Sequence, residues 1–124
     1  ASGNVLSAGD SSQVVGAEPL LASDAYQSLR LGIRQPQMEP KTCADGLRTA
    51  LGKLNFDILS KYSLPIHLVD EAEIMKAQSL LMSCLKIVVE PSAAVSFAAL
   101  LKDGPHHVQS KVICVVISGG NSKV

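Results

Sequence analysis

The run Val112-Ile113-Cys114-Val115-Val116-Ile117, ended by Ser118-Gly119-Gly120-Asn121, constrains this chain more than any other stretch. Six apolar residues without a polar break, most of them β-branched, predict a strand covered on both faces, as in a parallel sheet flanked by helices. The run stops abruptly. In open α/β sheets the carboxyl ends of strands face the ligand crevice, so this turn offers a hydroxyl, an amide and unobstructed backbone there, or it simply ends the strand.

A chain of 124 residues fits one domain, with a core that buries roughly two-thirds of the surface the unfolded form exposes. Eleven basic and eleven acidic side chains cancel, leaving no global field to hold nucleic acid or an anionic membrane. No apolar run approaches the roughly 20 residues that span a bilayer, and the start lacks a secretory pattern. A soluble, cytoplasmic chain is expected. Cys43, Cys84 and Cys114 stand far apart with no Cys-x-x-Cys pair, so they read as buried free thiols. The chain begins at Ala1, which suggests a piece of a longer protein.

Gly9 to Ser12 forms a turn, and Gln13 to Ala17 reads as a short strand that must finish at Pro19, which has no N–H to donate. Ser23 can cap a helix from Asp24 to about Leu31, closed by Gly32. Pro36 and Pro40 make Ile33 to Thr42 an extended crossing. A second helical stretch opens at Ala44-Asp45-Gly46-Leu47 and closes near Gly52, and a third covers Phe56 to Tyr62. Ile66 to Val69 is a strand, and Asp70 with Glu73 has capping-box spacing ahead of a helix whose apolar stripe is Ile74, Ala77, Leu81 and Leu85. Lys86 to Val89 reads either as the helix end or as an extended piece. Pro91 suits the first turn of a last helix with Ala94, Phe97, Ala98 and Leu101 on one face, and Lys102 to Ser110 is a polar loop. Strands alternating with helices predict an α/β fold with a mostly parallel sheet flanked by helices, although three strands make a thin sheet.

Several polar groups could carry chemistry, and each also has a plain structural role. Glu18 and Asp24, with a loop carbonyl between them, are hard oxygen donors suited to Mg²⁺ or Ca²⁺, yet they also read as a solvated strand end and a helix-start charge. Glu90 either orients a ligand or caps the last helix. Lys86 complements a helix dipole or binds an anion. His106 and His107 lack a third ligand at metal spacing, and His67 reads as a satisfied core histidine.

Taken together, Ala17-Glu18-Pro19, then Ala22 and Asp24, Tyr26-Gln27-Ser28, Ala44-Asp45-Gly46-Leu47, Glu90-Pro91-Ser92-Ala93-Ala94 and Ser118-Gly119-Gly120-Asn121 resemble the serine racemase and serine/threonine dehydratase family. These are pyridoxal-phosphate enzymes of fold type II, related in fold to the tryptophan synthase β chain. The resemblance runs from about Gln13 to Asn121 and implies the carboxyl-terminal part of the large domain. It implies that Glu18, the Ala22 carbonyl and Asp24 form a divalent-cation site. It further implies that the Ser118 hydroxyl meets the pyridine nitrogen of pyridoxal 5′-phosphate, with Gly119 and Glu90 close to the cofactor. Lys86 and Asn121 match positions that contact a nucleotide effector, such as ATP, at the subunit interface of homodimeric relatives.

The implied activity is racemisation of serine, or β-elimination from serine or threonine to a 2-oxo acid and ammonia. The family's Schiff-base lysine, its Ser-Gly-Asn-His segment and its tetraglycine phosphate cradle are not found here. Asn4 of Ser2-Gly3-Asn4 is followed by Val5, and none of the eight lysines stands in the aldehyde-binding motif. The chain alone is therefore expected to be inactive. The alternative from another class is a non-catalytic cation-binding or regulatory module.

Overall fold

Two short strands that lie far apart in sequence pair in parallel, and everything between them forms the crossover. The computed structural model describes residues 13–36, 39–103 and 112–121. Strand β1 (Gly16–Pro19) lies beside β2 (Ile66–Val69) in the register Gly16↔Ile66 through Pro19↔Val69. The predicted strand at Gln13 to Ala17 therefore begins later and runs on to Pro19. Its register explains the shift: β2 starts only after Pro65, whose carbonyl takes the Gly16 N–H at 2.8 Å.

The crossover carries α1 (Asp24–Leu31) and α2 (Lys53–Lys61), which pack on each other. Gly32 closes α1 at φ 68°, the left-handed conformation that glycine adopts without a steric penalty. The predicted helix from Ala44 to Gly52 is instead one 3₁₀ turn, Asp45–Leu47, followed by irregular chain. Tertiary bonds outcompete its weak propensity: Gly46 N–H goes to Ser92 Oγ, and the Arg48 guanidinium donates twice to the Thr42 carbonyl.

After β2, α3 (Glu71–Leu85) opens with the predicted capping box, Asp70 accepting the Glu73 N–H at 2.8 Å and Glu73 accepting the Asp70 N–H at 2.7 Å. Lys86 ends it at φ 57°, and residues 87–90 belong to no helix or strand. Helix α4 (Pro91–Asp103) packs against α3, β1, β2 and the Asp45 turn. Its buried face is Ala93, Ala94, Val95, Ala98 and Ala99, joined in the core by Ala44, Val69, Ile74, Ala77, Leu81 and Val89. Leu85 and Leu101, predicted on the apolar stripes, are exposed.

The strand expected over Val112 to Ile117 has no strand partner among the described residues. It adds no strand to the two-stranded sheet among the described residues, and Val112 is 81% exposed. Only Val115, Ile117 and Gly119 turn partly inward, with Ile117 against the core. His67 is likewise no core histidine: it lies half-exposed on β2 and pairs through Nδ1 with Asp103. Cys84 and Cys114 are exposed and Cys43 is half-buried, so the expected burial of the thiols fails for two of the three. Gly9 to Ser12, Ser2-Gly3-Asn4 and the His106-His107 loop lie outside the described residues. No helix among the described residues is long and apolar enough to cross a membrane.

The capping box gives a direct test of how α3 is held. Asp70→Ala removes the side-chain acceptor of the Glu73 N–H and is expected to lower unfolding stability by about 1 kcal/mol. Urea unfolding followed by circular dichroism measures it.

Candidate functional site

Two polar assemblies arise from residues that are remote in sequence. The first gathers at the end of β1. Ser23, predicted to cap α1, makes no side-chain capping bond. Glu18 does that work from the strand end, Oε1 accepting the Ala25 N–H at 3.1 Å and Oε2 the Tyr26 N–H at 2.9 Å. Its reading as a solvated strand-end residue fails.

Asp24, buried at 7% exposure, stands beside Glu18 and takes the Leu51 N–H on Oδ2 at 2.7 Å. Ala22 is buried between them in sequence, and Ser28 Oγ donates to the Asp24 carbonyl while accepting the Gln35 N–H at 2.8 Å. Burial, partly opposed by the two capping N–H groups and reinforced by the Asp24 charge, pushes the Glu18 carboxyl up from 4.5 to about 7. An open cavity of about 330 Å³ lies beside the pair, lined also by Leu47, Leu51, Asn55 and Ile66. Among the described residues no three His, Cys, Asp or Glu side chains converge, so an ion here would draw on two carboxylates, a carbonyl and water, a donor set that suits Mg²⁺.

The second assembly gathers around the start of α4. Ser92 Oγ accepts the Gly46 N–H at 2.9 Å, and a Cβ on Gly46 would crowd that hydroxyl. Glu90 N–H donates to the Gly119 carbonyl at 3.2 Å, and Glu90 Oε2 accepts the Asn121 N–H at 3.1 Å. The Glu90 carboxylate thus caps nothing in α4; it faces the Ser118-Gly119-Gly120-Asn121 turn. Ser96 Oγ holds the Val116 carbonyl at 2.9 Å. Ser118 is exposed, and its hydroxyl has no partner among the described residues.

Three motifs separated by more than twenty residues therefore meet: Asp45-Gly46, Glu90-Pro91-Ser92 and Ser118-Gly119. Lys86 and Asn121 are both exposed, Lys86 at the end of α3. Residues 45–52 touch both assemblies, through Gly46 on one side and Leu51 on the other. Sequence reading missed the ties from Ser28, Leu51 and Ser96; that of Ser28 to the Asp24 carbonyl is a local bond one helical turn back, while those of Leu51 and Ser96 are long-range and follow no local pattern. A larger open groove of about 700 Å³, lined by Tyr26, Arg30, Phe56, Ser60 and His67, includes none of the predicted site residues.

Comparison with known proteins bears on what this arrangement is. Residues 2–119 match the family described as pyridoxal-phosphate dependent enzyme. The chain is 41% identical over 112 residues to a serine racemase of Dictyostelium discoideum, covering 88% of this chain and 35% of that protein. It is 38% identical over 109 residues to a β-hydroxyaspartate dehydratase of Paracoccus denitrificans, covering 88% of this chain and 34% of that one. Among solved structures, a T.th. threonine deaminase superposes with a TM-score of 0.87 at 34% identity, over 97% of this chain and 44% of that one. The Dictyostelium discoideum serine racemase structure gives 0.86 at 38% identity, over 95% and 38%. The chain spans about a third of the length of these curated relatives.

The pair at the end of β1 sets a pH dependence. With its folded pKa raised from 4.5 to about 7, Glu18 contributes stability that is full below 4.5 and is lost as pH rises through 7. Glu18→Gln is expected to remove that decline, so thermal melts of the variant should run flatter than those of the parent across this interval.

Proposed function

Because this chain belongs to the pyridoxal-phosphate dependent enzyme family, we propose that it forms one wall of a cofactor pocket in an enzyme acting on β-hydroxy amino acids such as serine and threonine. The observation that carries this reading is the meeting of Asp45-Gly46, Glu90-Pro91-Ser92 and Ser118-Gly119 around the start of α4, with the Ser118 hydroxyl left unengaged. The relatives named above are a serine racemase, a threonine deaminase and a hydroxyaspartate dehydratase; their named substrates share an α-amino group and a β-hydroxyl.

Bound pyridoxal phosphate supplies the electron sink that lets a proton leave the α-carbon. Ser118 offers a neutral hydroxyl to the pyridine nitrogen. A hydroxyl does not hold that nitrogen protonated as a carboxylate would, which tempers the sink yet leaves both racemisation and loss of the β-hydroxyl within reach. Ser118 fits this role by its exposure and its free hydroxyl, and Gly119 stands next to it in the same turn.

Glu18, the Ala22 carbonyl and Asp24 would hold Mg²⁺ or Ca²⁺. The raised Glu18 pKa is in keeping with this, because burial first and the Asp24 charge second disfavour a bare carboxylate here, and a cation would offset both. Lys86 and Asn121, both exposed, are our candidates for contact with a nucleotide such as ATP. With no lysine in the aldehyde-binding motif, the chain alone lacks racemase and lyase activity.

Calorimetry and trapping test the reading. Mg²⁺ or Ca²⁺ is expected to bind the chain and to lose that binding in Asp24→Ala; no heat from either ion in the parent would remove the cation site. Borohydride reduction after mixing with pyridoxal phosphate is expected to trap no adduct that turns serine over. Observed turnover would overturn the inactivity.

A further inference from the structure

We infer that Glu90 is a positioning residue: its carboxylate holds the Ser118–Asn121 turn and thereby sets the direction of the Ser118 hydroxyl, without itself contacting the cofactor. The inference rests on the reading that Ser118 meets the pyridine nitrogen. Residues 112–121 have no strand partner among the described residues, so no strand ladder fixes this stretch. Ser96 Oγ holds Val116 from one side. Glu90 supplies two others, its N–H to the Gly119 carbonyl and its Oε2 to the Asn121 N–H, and these bracket the turn.

The fit around the carboxylate is close. A Cβ on Gly120 would overlap the Val88 carbonyl, so that glycine is needed for the turn to lie against residues 88–90, and a Cβ on Gly119 would displace the Glu90 carboxylate from its place. Glu90 is itself immobilised. Its carbonyl accepts the Ala93 and Ala94 N–H groups at the start of α4, and the following Pro91 restricts its backbone to extended conformations. A carboxylate carried by so fixed a backbone, with one oxygen on Asn121 and the other against Gly119, is committed to the turn. Ser118, between the Ser96 and Glu90 ties, has its hydroxyl left over for a ligand.

The test uses the ¹⁵N-labelled full chain and 4′-deoxypyridoxine 5′-phosphate, a cofactor analogue without the aldehyde, so that binding needs no lysine. In Glu90→Ala, hydrogen exchange at the Asn121 amide should speed up about tenfold, as expected when a charged acceptor is removed from a local bond. Amides of Ala77 and Leu81 in α3 should keep their protection and certify the fold. Glu90→Gln retains a carbonyl acceptor of the same reach and should restore Asn121 to within about twofold. Glu90→Asp keeps the charge but falls one methylene short and should not. Unchanged Asn121 exchange in Glu90→Ala overturns the inference. If Glu90→Ala also loses protection in α3, the Gln and Asp variants decide: protection kept by Asp and lost by Gln overturns it.

The analogue separates this inference from the reading beneath it. If it moves the Ser118 resonance in the parent, its affinity should fall about threefold to tenfold in Glu90→Ala and recover in Glu90→Gln; unchanged affinity there overturns the positioning role. If it leaves Ser118 unmoved in the parent, the cofactor reading fails and the positioning role toward a pyridine falls with it, whatever Asn121 exchange shows about the clamp.

Discussion

The buried small-residue face of α4 is the constraint on which the other elements depend. Ala93, Ala94, Ala98 and Ala99 let the helix backbone come close to β1, β2, α3 and the Asp45 turn, and only Val95 adds bulk among them. Alanine also has the highest helix propensity, so the same residues that permit close approach keep the helix formed. Larger side chains would overpack this face and force the sheet and its neighbours to shift, at a cost of typically about 1–3 kcal/mol. With α4 seated, its first turn fixes where Glu90 and Ser92 stand, and those two residues draw in the Asp45-Gly46 turn and the Ser118–Asn121 turn.

What could be read from the residues in advance was local. Asp70 and Glu73 satisfy each other within one turn, Gly32 supplies a left-handed stop, and Ile66 to Val69 is a strand bounded by its own punctuation, so each was legible without knowing the fold. Long-range partners decided the rest. Ser23 is a good cap by composition, yet the N–H groups at the start of α1 go to Glu18, seven and eight residues away. Residues 44–52 have a helix-like beginning, and their backbone is claimed instead by Ser92 and Asp24. Val112 to Ile117 has every mark of a covered strand, but a strand also needs a neighbouring strand to pair with, which no feature of the run itself provides.

The candidate site was legible in another way. Glu18, Asp24, Glu90 and the Ser-Gly-Gly-Asn turn each had an ordinary explanation when taken singly, and no spacing rule connects residues separated by tens of positions. Their order along the chain resembled one family, and the match over residues 2–119 bears that family out. The geometry adds what order alone does not contain: the Asp45, Glu90 and Ser118 motifs share hydrogen bonds, and residues 45–52 connect them to the acidic pair at the end of β1.

A common rule underlies these connections: acidic side chains satisfy the backbone N–H groups of distant segments. Glu18 serves Ala25 and Tyr26, Asp24 serves Leu51, Glu90 serves Asn121, and Glu71 serves Cys43 at 2.6 Å. The two of these whose acidity is clearly displaced move in opposite directions. Burial tends to raise both. For Glu71 the Cys43 N–H, the Cys43 thiol and the Thr42 hydroxyl outweigh it, so its pKa falls, while burial and the same carboxylate push the Cys43 thiol up to about 11. Glu18 accepts two N–H groups and still rises, because its carboxyl is more deeply buried and Asp24 adds a like charge beside it. Glu71 therefore adds stability that is lost as pH falls through its lowered value, and Glu18 adds stability that is lost as pH rises through its raised one. A tie of the first kind strengthens as its carboxyl ionises. The second kind is strained by ionisation, and a cation held by both carboxylates would relieve that strain as a proton does, which is why the ion proposal belongs at the end of β1 and not at Glu71.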